Sequence, residues 1–404
     1  MYSRLVAIVV LLGLASCVTS PEPEAVFERR MAREAELPEP VSYVSEDGVL
    51  GLRAPAALAA PIERARGGYD ISFDIGSDVP ILCRVYHESL DLGAAIHRGS
   101  VGNLQLAEER LGTFEMKQVI GSDAGAIGPH PFLEIDWLYL VAEPRATGRL
   151  LLRVASVDGR GVSCKHNDLG YTESFDRVFR ELVASLRYRE ESPSGPHYFR
   201  EISTISAGTR RIGVVVRTLR RDEQGNSQVE LATTTLVPKP PDEISVSDRY
   251  DFELSRPEGT VLSQASVELK NQKLTRNLRF DPEAASWHVH GVFRSAPYDE
   301  RIPRDAELLS YVGRTRVLRQ MIDELGAGAE LTLLLWVSVR PGELLESTTT
   351  LLAARDEGSF YALVTMGPEE RRVVVDPLGS VLSTDIQIGQ ASLRFERVFS
   401  EGEF

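Results

Sequence analysis

Cysteine is nearly absent: Cys17, Cys83 and Cys164 are the only three in 404 residues. Three thiols cannot build a four-cysteine zinc ribbon or a multi-bridge scaffold, so folding must rest on ordinary apolar cores. Lysine is scarce as well, with five residues (Lys117, Lys165, Lys239, Lys270 and Lys273) among 45 basic ones. Such an arginine bias suits phosphate recognition and also follows from GC-rich coding. Excess positive charge is missing: a net charge of -14 offers no broad basic surface to nucleic acid and is repelled by anionic headgroups. After the N-terminal stretch, no apolar run approaches the roughly 20 residues of a membrane-spanning helix. The linear signatures of common chemistry are absent too: no G-x-S-x-G, S-x-x-K, H-E-x-x-H, Walker loop or G-x-G-x-x-G occurs. No cofactor and no catalytic residue is implied. A hydrolase built on a carboxylate pair stays open, because such pairs leave little linear trace.

What is present begins at the N-terminus. Arg4 supplies a positive charge, and Leu5 to Leu12 form an apolar core too short to span a bilayer. The core ends in Leu14-Ala15-Ser16-Cys17, which resembles the lipobox of bacterial lipoproteins. The resemblance implies that residues 1–16 are a removed signal peptide and that the Cys17 thiol accepts a diacylglycerol. Palmitate-type acylation of the new amino terminus would complete a stable anchor, since several chains hold where one binds marginally. Val18 in place of Asp after the cysteine resembles the forwarding signal to the outer membrane in enteric-type lipoproteins. The folded part would then be periplasmic or surface-exposed.

Residues 17–41 read as a lipidated tether, proline-punctuated, with one short helix where Phe27, Met31 and Ala35 recur. Residues 42–190 read as an α+β domain. "YDISFDI" and "VPILCRV" alternate, "FLEIDWLYLV" and "RLLLRVASV" read as apolar on both faces, and Asp158-Gly159 marks a turn. Phe175, Val178, Phe179, Leu182, Val183 and Leu186 make a helical stripe, with Thr172 as its expected cap. This order over residues 69–188 resembles the α/β/α layout of PsbP-like domains, a sandwich-like antiparallel sheet with a C-terminal helix.

"REESPSGPH", residues 189–197, reads as a boundary. Residues 191–404 read as a larger antiparallel β-rich domain. A hairpin at 222–227 and one helix, with the stripe Val317, Leu318, Met321, Ile322 and Leu325 ending at Gly326, punctuate it. A curved sheet with a helix against it resembles the half-barrel domains of periplasmic lipoprotein carriers. It also resembles the β-rich modules that precede transglutaminase domains, although no cysteine follows Cys164.

Two local patterns bear on chemistry. Cys83 and Cys164 each share an apolar strand face, so in an oxidising compartment they can pair as a disulfide. Two buried thiols, or a Cys164 thiolate beside His166, are the alternatives. His288-Val289-His290 puts two imidazoles on one strand face at chelating spacing, but a metal needs a third ligand, and Asp281, Glu283 and Asp299 are near only in sequence. No metal is therefore expected, and solvent-facing histidines are the plainer reading. The sequence thus points to a lipid-anchored envelope protein that binds or scaffolds other envelope proteins. A continuous apolar cavity in residues 197–404 would instead mark a carrier of an apolar ligand.

Overall fold

Alternation of apolar and polar residues is the dominant local pattern, and the chain converts it into antiparallel sheets. A computed structural model describes residues 24–89, 92–96, 114–141, 146–189, 196–239, 243–268, 273–304, 306–336, 344–356, 358–367, 369–388 and 391–403. Helix α1 (Glu24–Met31) precedes β1 (Val41–Val44), β2 (Leu50–Ala54), β3 (Ala57–Leu58), β4 (Glu63–Ala65), β5 (Gly68–Asp74) and β6 (Ile81–Ser89). Strands β7 (Phe114–Ile127), β8 (His130–Val141), β9 (Ala146–Val157) and β10 (Arg160–His166) lead to α2 (Thr172–Ser185) and β11 (Arg187–Tyr188).

Next come β12 (Phe199–Ala207), β13 (Arg210–Arg221), β14 (Ser227–Lys239), β15 (Glu243–Ser255), β16 (Val261–Glu268), β17 (Lys273–Pro282), β18 (Ser286–Phe293) and β19 (Ala296–Pro303). Helix α3 (Tyr311–Gln320) continues through a π turn, Met321–Leu325. The chain ends with β20 (Glu330–Trp336), β21 (Leu344–Asp356), β22 (Ser359–Met366), β23 (Glu369–Val375), β24 (Val381–Ile388) and β25 (Ala391–Gly402).

Three sheets result among the described residues. β1, β2 and β11 form a small one, and an 8-stranded sheet runs β3-β5-β6-β10-β9-β8-β7 with β4 on β5. A 14-stranded sheet runs from β19 back to β12, then through β25 to β20. The α+β expectation is therefore corrected: the chain is mostly β, 63% strand against 13% helix, built on large antiparallel sheets. The helical stripes are real, but α2 and α3 are accessories laid on sheets. The organising pairing, β12 with β25, joins residues at opposite ends of the second half, where no local pattern can announce it.

In the 8-stranded sheet, Tyr69, Ile71, Phe73, Ile81 and Val85 meet Phe175, Val178, Phe179, Leu182 and Val183 of α2. Each such burial contributes about 1.5–3 kcal/mol before entropy is charged against it. Asp158 and Gly159 have φ of 50° and 78°, the two-residue turn that matches strand twist between β9 and β10. The cap of α2 differs from expectation. Thr172 is already helical and Tyr171 before it is left-handed without a side-chain cap bond. The carboxylate of Glu34 accepts from the Glu173 and Ser174 amides instead, at 3.0 and 2.8 Å. Ala35 and Leu37 then pack on the core. From Arg33 onward, the segment read as a tether is docked, with the Tyr171 amide bonded to its carbonyl.

The other face of this sheet carries Leu133, Ile135, Trp137, Tyr139, Leu150, Leu152 and Val154, which share one cluster with Val214 of β13 and Leu236 of β14. The two large sheets are thus joined by apolar packing. The 14-stranded sheet curls, and residues 306–310 bond to both of its arms. Val261 donates to the Leu308 carbonyl at 2.9 Å, and Glu307 donates to that of Leu334 at 2.8 Å. Helix α3 lies in the concavity: Val312 packs on Phe199, Leu219 and Val229, and Met321 packs on Leu351, Ala362, Val373 and Val375. Leu325, expected in the same stripe, is exposed, because the π turn rotates it off the apolar face. No helix among the described residues is long and apolar enough to cross a membrane.

Candidate functional site

Cys17 and residues 190–195, the core of the expected boundary, lie outside the described residues. Cys83 and Cys164 do not: they face each other across β6 and β10 and are joined as a disulfide, with Cα atoms 4.0 Å apart and 81 positions apart in sequence. The bond removes the alternative of a Cys164 thiolate with His166 as its base. His166 is fully buried, stacked on Phe175 at 6.1 Å, and burial pushes its pKa below the ordinary value.

The runs "FLEIDWLYLV" and "RLLLRVASV" are not apolar on both faces. Glu134 and Asp136 of β8 project under α2, where they meet Arg149 and Arg153 of β9 and Asp176 of the helix. Arg153, 2% exposed, reaches Asp136 at 2.6 Å, Asp176 at 2.8 Å and Glu134 at 3.1 Å. Arg149 bonds Asp136 and the Thr172 hydroxyl. Burial raises the Glu134 pKa to about 7, against the pull of Arg153. Three convergent carboxylates would suit acid–base work in a cleft. Here the space between them is filled by a guanidinium and covered by a helix, so the cluster holds α2 to the sheet.

An open cleft lies where α3 meets the rim of the large sheet. Tyr198, Arg221, Ser227, Val312, Thr315, Arg316, Arg319 and Leu378 line a cavity of about 190 Å³. Two tight turns shape its rim. Asp222 accepts from the Gln224 and Asn226 amides at 2.9 and 2.8 Å, and Asp376 accepts from Leu378 and Ser380 at 3.0 and 2.9 Å. Gly379 has φ of 79°, and a Cβ there would sit 2.3 Å from the Thr315 carbonyl, so only glycine lets the helix lie against this turn.

The helix start is fixed from below. Ser310 caps it by accepting from Gly313 at 3.0 Å, and Glu253 accepts from the Tyr311 amide at 2.7 Å. Arg217 stacks on the Tyr311 ring at 3.8 Å and pairs with the buried Glu201. Arg397, within 3.8 Å of Glu201, also holds Asp376 at 2.8 Å.

Three arginines thus line one cleft in an acidic protein. Arg319 has an exposed ion pair with Asp323 at 3.5 Å, which contributes little. Arg221 lies over the Tyr198 ring at 5.0 Å, and neither it nor Arg316 has an acidic partner among the described residues. The Tyr198 hydroxyl donates to Ser227 at 3.4 Å and the Thr315 hydroxyl to the Tyr311 carbonyl at 3.1 Å, which leaves the Ser227 hydroxyl as a neutral donor. The lining fits a carboxylate or phosphate rather than an apolar ligand. Sequence reasoning passed over these residues, which stand on four separate segments; the arginine bias was the one signal, and it does not say which arginines converge.

His288 and His290 sit on the outer face of β18, with Trp287 and Val289 turned inward. Each ring bonds a carboxylate on a neighbouring strand: His288 Nε2 to Asp299 at 2.8 Å and His290 Nε2 to Asp281 at 2.7 Å.

No family model matches the chain, and no curated protein matches it. Among solved structures, a β-barrel-like protein of a domain of unknown function, DUF1849, from Brucella abortus aligns with TM-score 0.41 and 9% identity. The alignment covers 52% of this chain and 98% of that one. At that score the likeness carries no argument about function.

Proposed function

We propose that the chain is a lipid-anchored envelope protein that acts by binding, and that the cleft beside α3 receives an anionic group of its partner. The observation that carries the binding site is the convergence of Arg221, Arg316 and Arg319 on one cavity in a chain of net charge -14. Three arginines held together against their mutual repulsion, two of them without an acidic partner among the described residues, are an arrangement that an anion relieves. Export is supported by the disulfide, which persists in oxidising compartments, and anchoring by the lipobox at Cys17. A helix laid into the concave face, with its apolar side packed on both arms, favours recognition at the rim over carriage of an apolar ligand within.

Titration with inorganic phosphate tests the cleft. The Arg221→Ala/Arg316→Ala variant should bind at least about tenfold more weakly, each good charged hydrogen bond being worth more than 1.4 kcal/mol. Equal binding by both proteins would sink the assignment. For the anchor, Cys17→Ser should leave the detergent phase on phase separation; continued partition with membranes after a salt wash would rule acylation out.

A further inference from the structure

The outer face of β17, β18 and β19 carries a second constellation, independent of the arginine cleft. In strand register His288 stands opposite Asp281 and His290 opposite Asp299. The hydrogen bonds cross diagonally, His290 to Asp281 and His288 to Asp299, so the four side chains interlock across three strands. The imidazole rings lie nearly parallel, 4.7 Å between centroids and 30° between planes. One donor atom from each of Asp281, His288 and His290 lies within 4.8 Å of the others. Asp299 brings a fourth, 2.8 Å from His288 Nε2.

We propose that Asp281, His288 and His290, completed by Asp299, bind a divalent transition-metal ion of the zinc class. Two imidazoles suit a borderline ion and not calcium or magnesium, which take oxygen ligands. With bonds of about 2.1 Å, a tetrahedral site needs donor atoms roughly 3.4 Å apart. Separations from 2.7 to 4.8 Å bracket that value, so ring and carboxylate rotations suffice to close it. As ligands, the neutral imidazoles present the Nε2 lone pair to the ion and carry their proton on Nδ1, and the carboxylates turn from hydrogen-bond acceptors into ligands. Arg279 faces His290 and Arg301 faces His288. Arg301 is held by Glu283 at 3.0 Å, and Arg279 is exposed to solvent, which screens it. The ion would tie β19, the terminal strand of the sheet, to the two strands behind it.

The test uses the full, untagged chain in detergent, stripped with a chelator and titrated with zinc against a chromophoric competitor. One ion per chain should bind in the micromolar range. His288→Ala/His290→Ala should weaken it at least about 100-fold, and Asp281→Asn or Asp299→Asn about tenfold. Cobalt substituted for zinc should give the visible absorption of a tetrahedral nitrogen–oxygen site, lost in the double variant. All four residues are outside the cores, so the metal-free variants should melt with the parent; the isosteric asparagine variants carry the test if the double variant does not. Undiminished binding by the variants, or no binding below millimolar zinc, would overturn the proposal.

Discussion

Two regions of this molecule use the same device, acidic and basic side chains interleaved across neighbouring strands, and reach opposite outcomes. On β8 and β9 the charges lie beneath α2, and Arg153 is 2% exposed. On β17, β18 and β19 they face water, and the side chain of Asp299 is 72% exposed. Burial turns the first set into a fastening, because any member left alone would be an uncompensated charge in a poor solvent. The second set is cheap to rearrange, since water can replace each partner. What the difference teaches is that the covering element, and not the residue types, decides whether paired charges hold a fold or remain available to a ligand.

The largest way to break the comparison is to loosen the covered region covalently. Replacing Cys83 and Cys164 by serine frees a span of 81 residues and should cost up to about 4.5 kcal/mol on the chain-entropy account, often less. Denaturant melts should show the region around Trp137 unfolding before that around Trp287. Coincident loss at an unchanged midpoint would mean that the shared apolar cluster, and not the bond, limits stability.

Next in size is a matched pair of arginine substitutions. Arg153→Met removes the guanidinium shared by Glu134, Asp136 and Asp176, leaving Arg180 to Glu134 and Arg149 to Asp136, and should cost about 3–5 kcal/mol. Arg301→Met breaks only the exposed contact with Glu283 and should cost less than about 1 kcal/mol. Urea midpoints compare them directly, and similar losses would erase the distinction between the two regions.

Acidity sharpens it further. Burial raises the Glu134 pKa to about 7 from an ordinary 4.5, so the native state holds this proton more tightly than the unfolded chain. The Glu134 contribution is therefore fully present below 4.5 and is lost as pH rises from 4.5 through about 7. Glu134→Gln mimics the protonated form: relative to the parent, it should match at pH 5 and gain about 1–3 kcal/mol at pH 8. His130 and His166, whose pKa values burial lowers, contribute with the opposite sign, but equally in both proteins. A variant less stable than the parent at pH 8 would show that the contact with Arg153 outweighs desolvation.

The smallest effect is expected at Glu34. Glu34→Ala removes the carboxylate from two amides at the start of α2 and should cost about 1 kcal/mol. Hydrogen exchange at Glu173 and Ser174 should accelerate while the large sheet is unchanged. Unaltered exchange there would show that the cap is dispensable.

Much of the local structure was legible because it is periodic. Tyr69, Ile71, Phe73 and Ile75 alternate and are buried, and the stripe from Phe175 to Val183 is the apolar face of α2. The disulfide follows from two alternating faces brought into register. What stayed hidden depends on contacts distant in sequence. Glu34 meets residues about 140 positions away, and nothing near it marks it as a cap. The ion cluster did leave a trace: Glu134 and Asp136 stand two apart, Arg149 and Arg153 four apart, each pair on one strand face. The apolar residues between them masked it. The ligands around His288 and His290 were visible as residues, and only the two hairpin registers bring Asp281 and Asp299 beside them.

The bond from Glu34 to α2 also fixes a distance. With an acyl chain on Cys17, the stretch to Glu24 can extend at most roughly 25 Å, and the eight residues of α1 add about 12 Å. Because the chain is moored to the body of the protein from Arg33 onward, the leash ends there and not at the first strand. If Cys17 is acylated as proposed, the point where the leash joins the body, at Arg33 and Glu34, can then stand no further than about 40 Å from the bilayer.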